Sequence, residues 1–199
     1  MSILTYPLGF IGGGKEFYNG VIENSLRFND DDSPTLARTP ASAGNRKTMS
    51  WSFWVKRGNL PGTQTNFYAA GVSSGNRAFI GFNNTDTLRF GFNTGSWYIL
   101  ESTAKFRDVN SWYHVVIVLD TTKATTSDRA KLYVNGSEIT SFTTSDYPTQ
   151  NLEGVFNNNV EHQVGRLYSD GSSYWDGYVT DSYFIDGYAL GPENFGEYK

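Results

Sequence analysis

The chain has 199 residues, and its 16 Lys and Arg are outnumbered by 20 Asp and Glu, a formal net charge of −4. Its longest basic runs are the pairs Arg46-Lys47 and Lys56-Arg57, so the electrostatic footprint of a nucleic-acid binder is missing. It has no cysteine, which excludes disulfides, thiolate metal sites and cysteine nucleophiles and is compatible with assembly in a reducing cytoplasm.

Residues 1–24 stand apart as apolar patches and glycines without clear periodicity. The opening "MSILTYPLGFIGGG" has no basic n-region and no small-residue cleavage site, so it does not read as a signal peptide. Gly9, Gly14 and Lys15 have the spacing of a phosphate-binding loop, but Glu16 stands where a magnesium-holding Ser or Thr is required. A carboxylate there repels phosphate, and neither a buried strand before nor a helix after is in evidence. The segment reads instead as an extended N-terminal arm. Its Tyr6, Leu8, Phe10, Ile11, Phe17 and Tyr18 are apolar groups that an isolated arm cannot bury. They are candidates for docking, either on another subunit or on the chain's own domain.

From "SLRF" (25–28) onward the pattern is strand, turn, strand. Aromatic residues make up 16% of the chain and glycines number 21, a composition suited to many short strands joined by turns. "MSWSFWVKRG" (49–58) sets Trp51, Phe53 and Val55 on one face and Ser52, Trp54 and Lys56 on the other. Strands follow over 66–72, 77–84, 87–93 and 96–102, with "NNTD" (83–86) as a hairpin turn. "SWYHVVIVLDT" (111–121) is apolar on both faces and therefore central. Its core "VVIVL" is far too short to span a bilayer, so no membrane insertion is expected. Asn135-Gly136 inside "AKLYVNGSEIT" (130–140) is the strongest hairpin signal in the chain. Strands over 162–168 and 174–186 close the series, and no helix of three turns is predicted. Such spacing favours an antiparallel sandwich or barrel in a single domain.

Three stretches occur in a telling order: "SLRF", then "SWYHVVIVLD" with "AKLYVNGSEI", then "WDGYVTDSYFIDGYAL" (175–190). Trp112, Tyr113 and His114 fit the first strand motif of the pattern; Leu132, Tyr133, Val134, Asn135 and Gly136 fit the second. Trp175, Gly177, Val179, Phe184, Ala189 and Leu190 fit the closing one. Together they resemble the laminin G-like branch of the concanavalin A-like lectin/glucanase superfamily. The resemblance implies an all-β, antiparallel, jelly-roll β-sandwich over residues 25–199 behind the arm of residues 1–24. Thr180-Asp181 departs from the acidic pair of the closing strand, and "DGYALGPENFGE" (186–197) departs from the family's "Asn-Arg-Ala-Leu". That ending resembles the variant in virion proteins of marine bacteriophages.

Glucanases of this superfamily carry an "E-x-D-x-E" type of run, because retaining chemistry needs two carboxylates about 5 Å apart across one cleft. Glu101, Glu138, Glu153 and Glu161 each lack a carboxylate two residues on, so no catalytic residues are assigned and a non-enzyme is expected. His114 sits in the motif strand and reads as structural; a lone His without ligand spacing is rarely a metal site. No cofactor is expected, save that "NDDDS" (29–33) offers oxygen ligands suited to calcium, an ion that laminin G-like relatives use. "TGSWYIL" (94–100) and "SDGSSYWDG" (169–177) combine aromatics with Asp, Ser and Gly, the mixture a sugar needs. Trp97 and Trp175 read as core aromatics at strand ends, leaving Tyr98, Asp170 and Tyr174 as candidate glycan contacts.

The leading expectation is a structural virion protein made in the host cytoplasm, either a capsid decoration or cement protein or a tail or fibre component. Its partners would be other virion proteins and further copies of itself, since symmetric homo-oligomers are the default in such assemblies. The rival expectation is a carbohydrate-binding module that recognises host surface glycans.

Overall fold

In a computed structural model, residues 17–18, 22–167 and 173–198 are described. The strands are β1 (Phe17–Tyr18), β2 (Leu26–Phe28), β3 (Leu36–Arg38), β4 (Thr48–Arg57), β5 (Thr65–Ser73), β6 (Asn76–Phe82), β7 (Thr87–Thr94) and β8 (Trp97–Lys105). They continue as β9 (Tyr113–Asp120), β10 (Ala130–Val134), β11 (Ser137–Glu138), β12 (Phe142–Asp146), β13 (Glu161–Val164), β14 (Gly177–Asp186) and β15 (Glu197–Tyr198). Among the described residues, helix is confined to three single 3₁₀ turns.

Two antiparallel sheets form the sandwich. One has six strands in the order β11-β10-β9-β4-β14-β2, the other seven in the order β12-β8-β7-β6-β5-β13-β3. The expected all-β sandwich is therefore the fold. Alternation decides which residues lie between the sheets. On β4, Met49, Trp51, Phe53 and Val55 are buried in the core, paired with Leu119, Ile117, Val115 and Tyr113 of β9. The seven-stranded sheet answers with Ala70, Ala78, Ile80, Phe82, Phe90, Phe92 and Leu100. Aromatic rings interlock across the gap: Trp51 lies 4.8 Å from Phe156, and Phe67 lies 5.6 Å from Trp175. Each fully buried side chain of this size contributes about 1.5–3 kcal/mol of transfer energy.

Local chemistry fixes the turns. Asn135 and Gly136 take φ of 49° and 76°, the left-handed pair that a type I′ hairpin demands, and they join β10 to β11. At the "NNTD" turn, Asp86 (φ 68°) donates its backbone N–H to the Asn83 carbonyl at 2.9 Å. Its carboxylate receives Arg57 Nη1 at 3.0 Å and Arg107 Nε at 2.7 Å. Burial lowers the Arg57 pKa, and Asp86 works against that shift. Burial also acts to raise the Asp86 pKa, but the bonds from both arginines outweigh it and hold the carboxyl below its usual range. This pair closes one end of the sandwich.

The two short edge strands β3 and β12 were not legible in the sequence pattern. β3 is exposed along its whole length and β12 along most of it, so neither shows the apolar periodicity that marks a strand. Residues 17–18, read as arm, form a ribbon with β15, pairing Phe17 with Tyr198 and Tyr18 with Glu197.

Candidate functional site

The sandwich has two outer faces. On the six-stranded sheet the middle of the outer face carries Ser50, Ser52, His114 and Val116, all buried. The C-terminal segment covers them: Ser50 Oγ donates to the Tyr188 carbonyl at 2.6 Å and accepts from the Leu190 N–H at 2.7 Å. Phe17 is 8% exposed and stacks on the His114 ring at 4.7 Å. So Phe17 packs on the chain's own domain. Tyr6, Leu8, Phe10 and Ile11 lie outside the described residues, as does the side chain of Tyr18. His114 meets Ser52 Oγ at 2.8 Å through Nε2, while its buried Nδ1 has no partner. Burial pushes its pKa down to about 4, so the ring is neutral and structural.

The outer face of the seven-stranded sheet is built differently. Three rows of cross-strand neighbours run over it. One reads Glu101, Arg89, Gly81 and Asn66; the next Ile99, Gly91, Phe79, Ala69 and Gln163; the third Trp97, Asn93, Arg77, Gly71 and Glu161. Ala69, Phe79 and Leu167 form a small apolar island here, separate from the main core. The Phe79 ring lies over Gly91, where a Cβ would meet its Cζ at 3.0 Å. Long side chains then lie on the island. The Arg89 guanidinium sits 5.2 Å from the Phe79 centroid, Trp97 lies 5.9 Å from Phe79, and the Arg77 guanidinium sits 5.3 Å from Trp97.

Polar groups ring this platform. Arg89 donates to Gln64 Oε1 at 3.1 Å, and Gln64 donates to Asn66 Oδ1 at 2.9 Å. Arg166 Nε donates to Gln163 Oε1 at 2.8 Å, and Gln163 in turn donates to Glu161. The Tyr174 hydroxyl lies 3.5 Å from Arg166 Nη1. Burial lowers the Arg89 pKa; Glu101 opposes this and Arg77 adds to it. Beside the platform a cleft of about 190 Å³ is lined by Asp30, Asp31, Pro61, Gln64 and Tyr174.

The aromatic candidates divide in a way the sequence did not foretell. Trp175 is core, as expected, 1% exposed. Trp97, expected in the core, is 38% exposed on the outer face. Tyr98 turns the other way and packs on Phe92 at 5.3 Å. The reason is register: Asn93 pairs with Trp97 and Phe92 with Tyr98, so the core position of Phe92 decides which aromatic faces in. Tyr174 lies at the rim of the platform, and Asp170 falls outside the described residues. Arg77 and Phe79 of β6, Arg89 of β7 and Gln163 of β13 were not singled out from sequence, because they share one face only through the pairing of β5, β6, β7 and β13.

Among the described residues no three His, Cys, Asp or Glu side chains converge as a metal cluster. The "NDDDS" stretch forms a 3₁₀ turn over Asp30–Asp32 in which Asp32 accepts from Asn29 Nδ2 at 2.7 Å. Glu101 accepts from Asn83 at 2.9 Å and Thr87 at 2.8 Å and faces Arg89 at 3.5 Å.

A laminin G-type family model, described as the concanavalin A-like lectin/glucanases superfamily, matches residues 29–194. The chain belongs to this superfamily. No curated protein matches it in sequence. Among solved structures it is similar to domain 4 of AbnA, an extracellular GH43 arabinanase of Geobacillus stearothermophilus, in complex with arabinotriose. That match has 21% identity and a TM-score of 0.61, over 92% of this chain and 80% of that one. It is similar to the CBM40 of the Ruminococcus gnavus IT-sialidase bound to α2,3-sialyllactose: 12% identity, TM-score 0.56, 87% of this chain and 94% of that one. It is also similar to domains LG4-5 of the mouse laminin α1 chain, at 14% identity and TM-score 0.58, over 88% of this chain and 45% of that one. At these identities the shared property is the fold.

Proposed function

We propose that this protein is a non-enzymatic carbohydrate-binding module that takes sugar on the outer face of the seven-stranded sheet. The observation that carries this reading is Trp97, a large aromatic left 38% exposed beside Arg77 and above Phe79. A sugar ring is apolar on one face and polar at its edge, so it needs a flat aromatic surface with hydrogen-bonding groups around it. The amides and guanidiniums around Trp97 supply that rim, and Tyr174 extends it. Two structures of the same fold, the AbnA domain and the CBM40, are complexes with oligosaccharides, which supports placing sugar binding ahead of a purely structural role. Glu101 and Asp86 are already committed to hydrogen bonds and ion pairs within the fold, which argues against their use as an acid/base pair.

The test is a titration of the protein with a panel of oligosaccharides, repeated on Trp97→Ala. We expect saturable binding that weakens about tenfold in the variant, the scale of one lost aromatic–ligand contact. Undiminished binding in Trp97→Ala would move the site elsewhere.

A second element of the proposal concerns setting. The ending "DGYALGPENFGE" (186–197) resembles that of marine phage virion proteins, and we propose that the module is displayed on a virion, as a decoration, cement or tail-fibre component. There it would contact other virion proteins, further copies of itself and host glycans. Quantitative mass spectrometry of purified particles checks this. Abundance near that of the major shell protein indicates a cement role, a few copies indicate an adhesin, and absence contradicts the virion setting.

A further inference from the structure

We infer that the cleft beside the platform is a second sugar subsite for a neutral, hydroxyl-rich unit, so that this face takes a chain of sugars, one ring on Trp97 and another in the cleft. The inference rests on the sugar-binding reading above and narrows it. The cleft, about 190 Å³, is lined by Asp30, Asp31, Pro61, Gln64, Thr65 and Tyr174 among others. Its acceptors are largely uncommitted. Among the described residues the Asp31 carboxylate enters no hydrogen bond or ion pair, and that of Asp30 has only Asn59 Nδ2 at 3.5 Å. Thr65 is 4% exposed, yet its hydroxyl has no partner. A buried hydroxyl without a partner destabilises the fold and so calls for a reason. A ligand hydroxyl in the cleft supplies one.

The lining sets the ligand class. An ionised carboxylate only accepts hydrogen bonds, and sugar hydroxyls are donors that suit it; such bonds are charge-assisted and strong. Among the described residues no Lys or Arg lines the cleft, so an anionic group is repelled. Pro61 and Tyr174 add apolar surface for the C–H face of a ring. Gln64 joins the cleft to the platform. It accepts from Arg89 at 3.1 Å, the Arg89 guanidinium lies 5.2 Å from the Phe79 ring, and Phe79 lies 5.9 Å from Trp97. Groups in contact therefore run from Trp97 to the cleft. Arg89 pairs with Glu101 and Asn93 with Trp97, which sets these two rows about 13 Å apart along the strands. A single ring stacked on Trp97 does not span that distance; a chain does.

A second cavity, about 160 Å³ and lined by Asp128, Lys131, Glu138 and Tyr147 among others, does not share this property. Lys131 faces Asp128 and Glu138, each at 3.5 Å, so its charged groups neutralise one another.

The experiment titrates the full chain with neutral manno-, cello- and arabino-oligosaccharides from monosaccharide to hexasaccharide, and with uronate chains of the same lengths. We expect affinity for a neutral series to rise about tenfold or more with length, the scale of one charge-assisted hydrogen bond, and the uronate chains to lack that rise. Asp31→Ala should erase the rise and leave monosaccharide affinity unchanged, whereas Trp97→Ala should weaken every length. Thr65→Val should reduce the rise while raising the thermal melt, because it removes an unbonded buried hydroxyl; a purely structural Thr65 would raise the melt with binding unchanged. Affinity independent of length, or a rise that survives both cleft substitutions, overturns the inference and leaves sugar binding on Trp97 standing. A rise that disappears with a calcium chelator assigns the carboxylates to an ion and overturns it as well. Failure to bind any sugar overturns both readings. The length series uses the unmodified protein, so a variant that does not fold leaves the inference open to refutation.

Discussion

The two outer faces of this sandwich begin with the same backbone and end differently. The face of the six-stranded sheet buries His114, Ser50 and Ser52 beneath backbone and side chains from both ends of the chain, Phe17 on one side and residues 188–195 on the other. The face of the seven-stranded sheet is covered over its island by its own long side chains, above all Trp97, Arg77 and Arg89. Serines and a neutral histidine suit a surface that another segment must cover: Ser50 satisfies backbone groups of that segment, and Ser52 and His114 bond each other without charge. Stacked guanidiniums and an exposed indole suit a surface that stays wet until a ligand arrives. One sheet has been closed by the chain itself and the other left for something else.

The comparison can be broken in several ways, the first by removing what both faces share. Trp51 is fully buried between the sheets, and Trp51→Ala should cost about 3–5 kcal/mol, lowering the denaturation midpoint and degrading both faces together. Acid should act chiefly on the closed face. His114 has its pKa pushed down by burial to about 4 from 6.5. The unfolded chain therefore takes up its proton first, so stability is full above 6.5 and falls as the pH drops toward 4. The loss reaches about 3 kcal/mol. Burial lowers the His162 pKa as well, adding a slope of the same sign, so melts of His114→Phe between these pH values should keep only the smaller part. Asp86, held below its ordinary 3.8, loses its contribution only at lower pH. Phe17→Ala should cost about 2 kcal/mol for the lost stacked ring with sugar affinity unchanged, as read from melts and titrations of the same preparation. Trp97→Ala should show the opposite split. We expect less than about 1 kcal/mol in the melt, since the ring is partly exposed, against the tenfold loss of affinity.

Much of the fold was legible because strand alternation is local. Trp51, Phe53 and Val55 announce a core face wherever the strand lies, and Asn135-Gly136 announces its own turn. The edge strands β3 and β12 were hidden because an edge with few buried side chains leaves no apolar period. The functional face was hidden for a different reason. "SWYIL" states that one of Trp97 and Tyr98 faces inward, but not which. The answer comes from the short turn that sets Asn93 opposite Trp97, with Phe92 already claimed by the core. Counting back through that turn from "RFGFN" would have assigned the pair. No such count brings Gln163 beside Ala69 and Phe79, because that depends on β13 lying beside β5, a long-range pairing that local sequence does not encode.

The most direct measurement is chemical-shift mapping of the backbone amides and tryptophan indoles during titration with an oligosaccharide that binds. The account predicts that shifts concentrate on Arg77, Phe79, Arg89, Asn93, Trp97 and Gln163, while His114, Ser52 and Tyr183 stay still. Shifts concentrated on the six-stranded sheet and its covering segments, with the Trp97 indole unmoved, would contradict it.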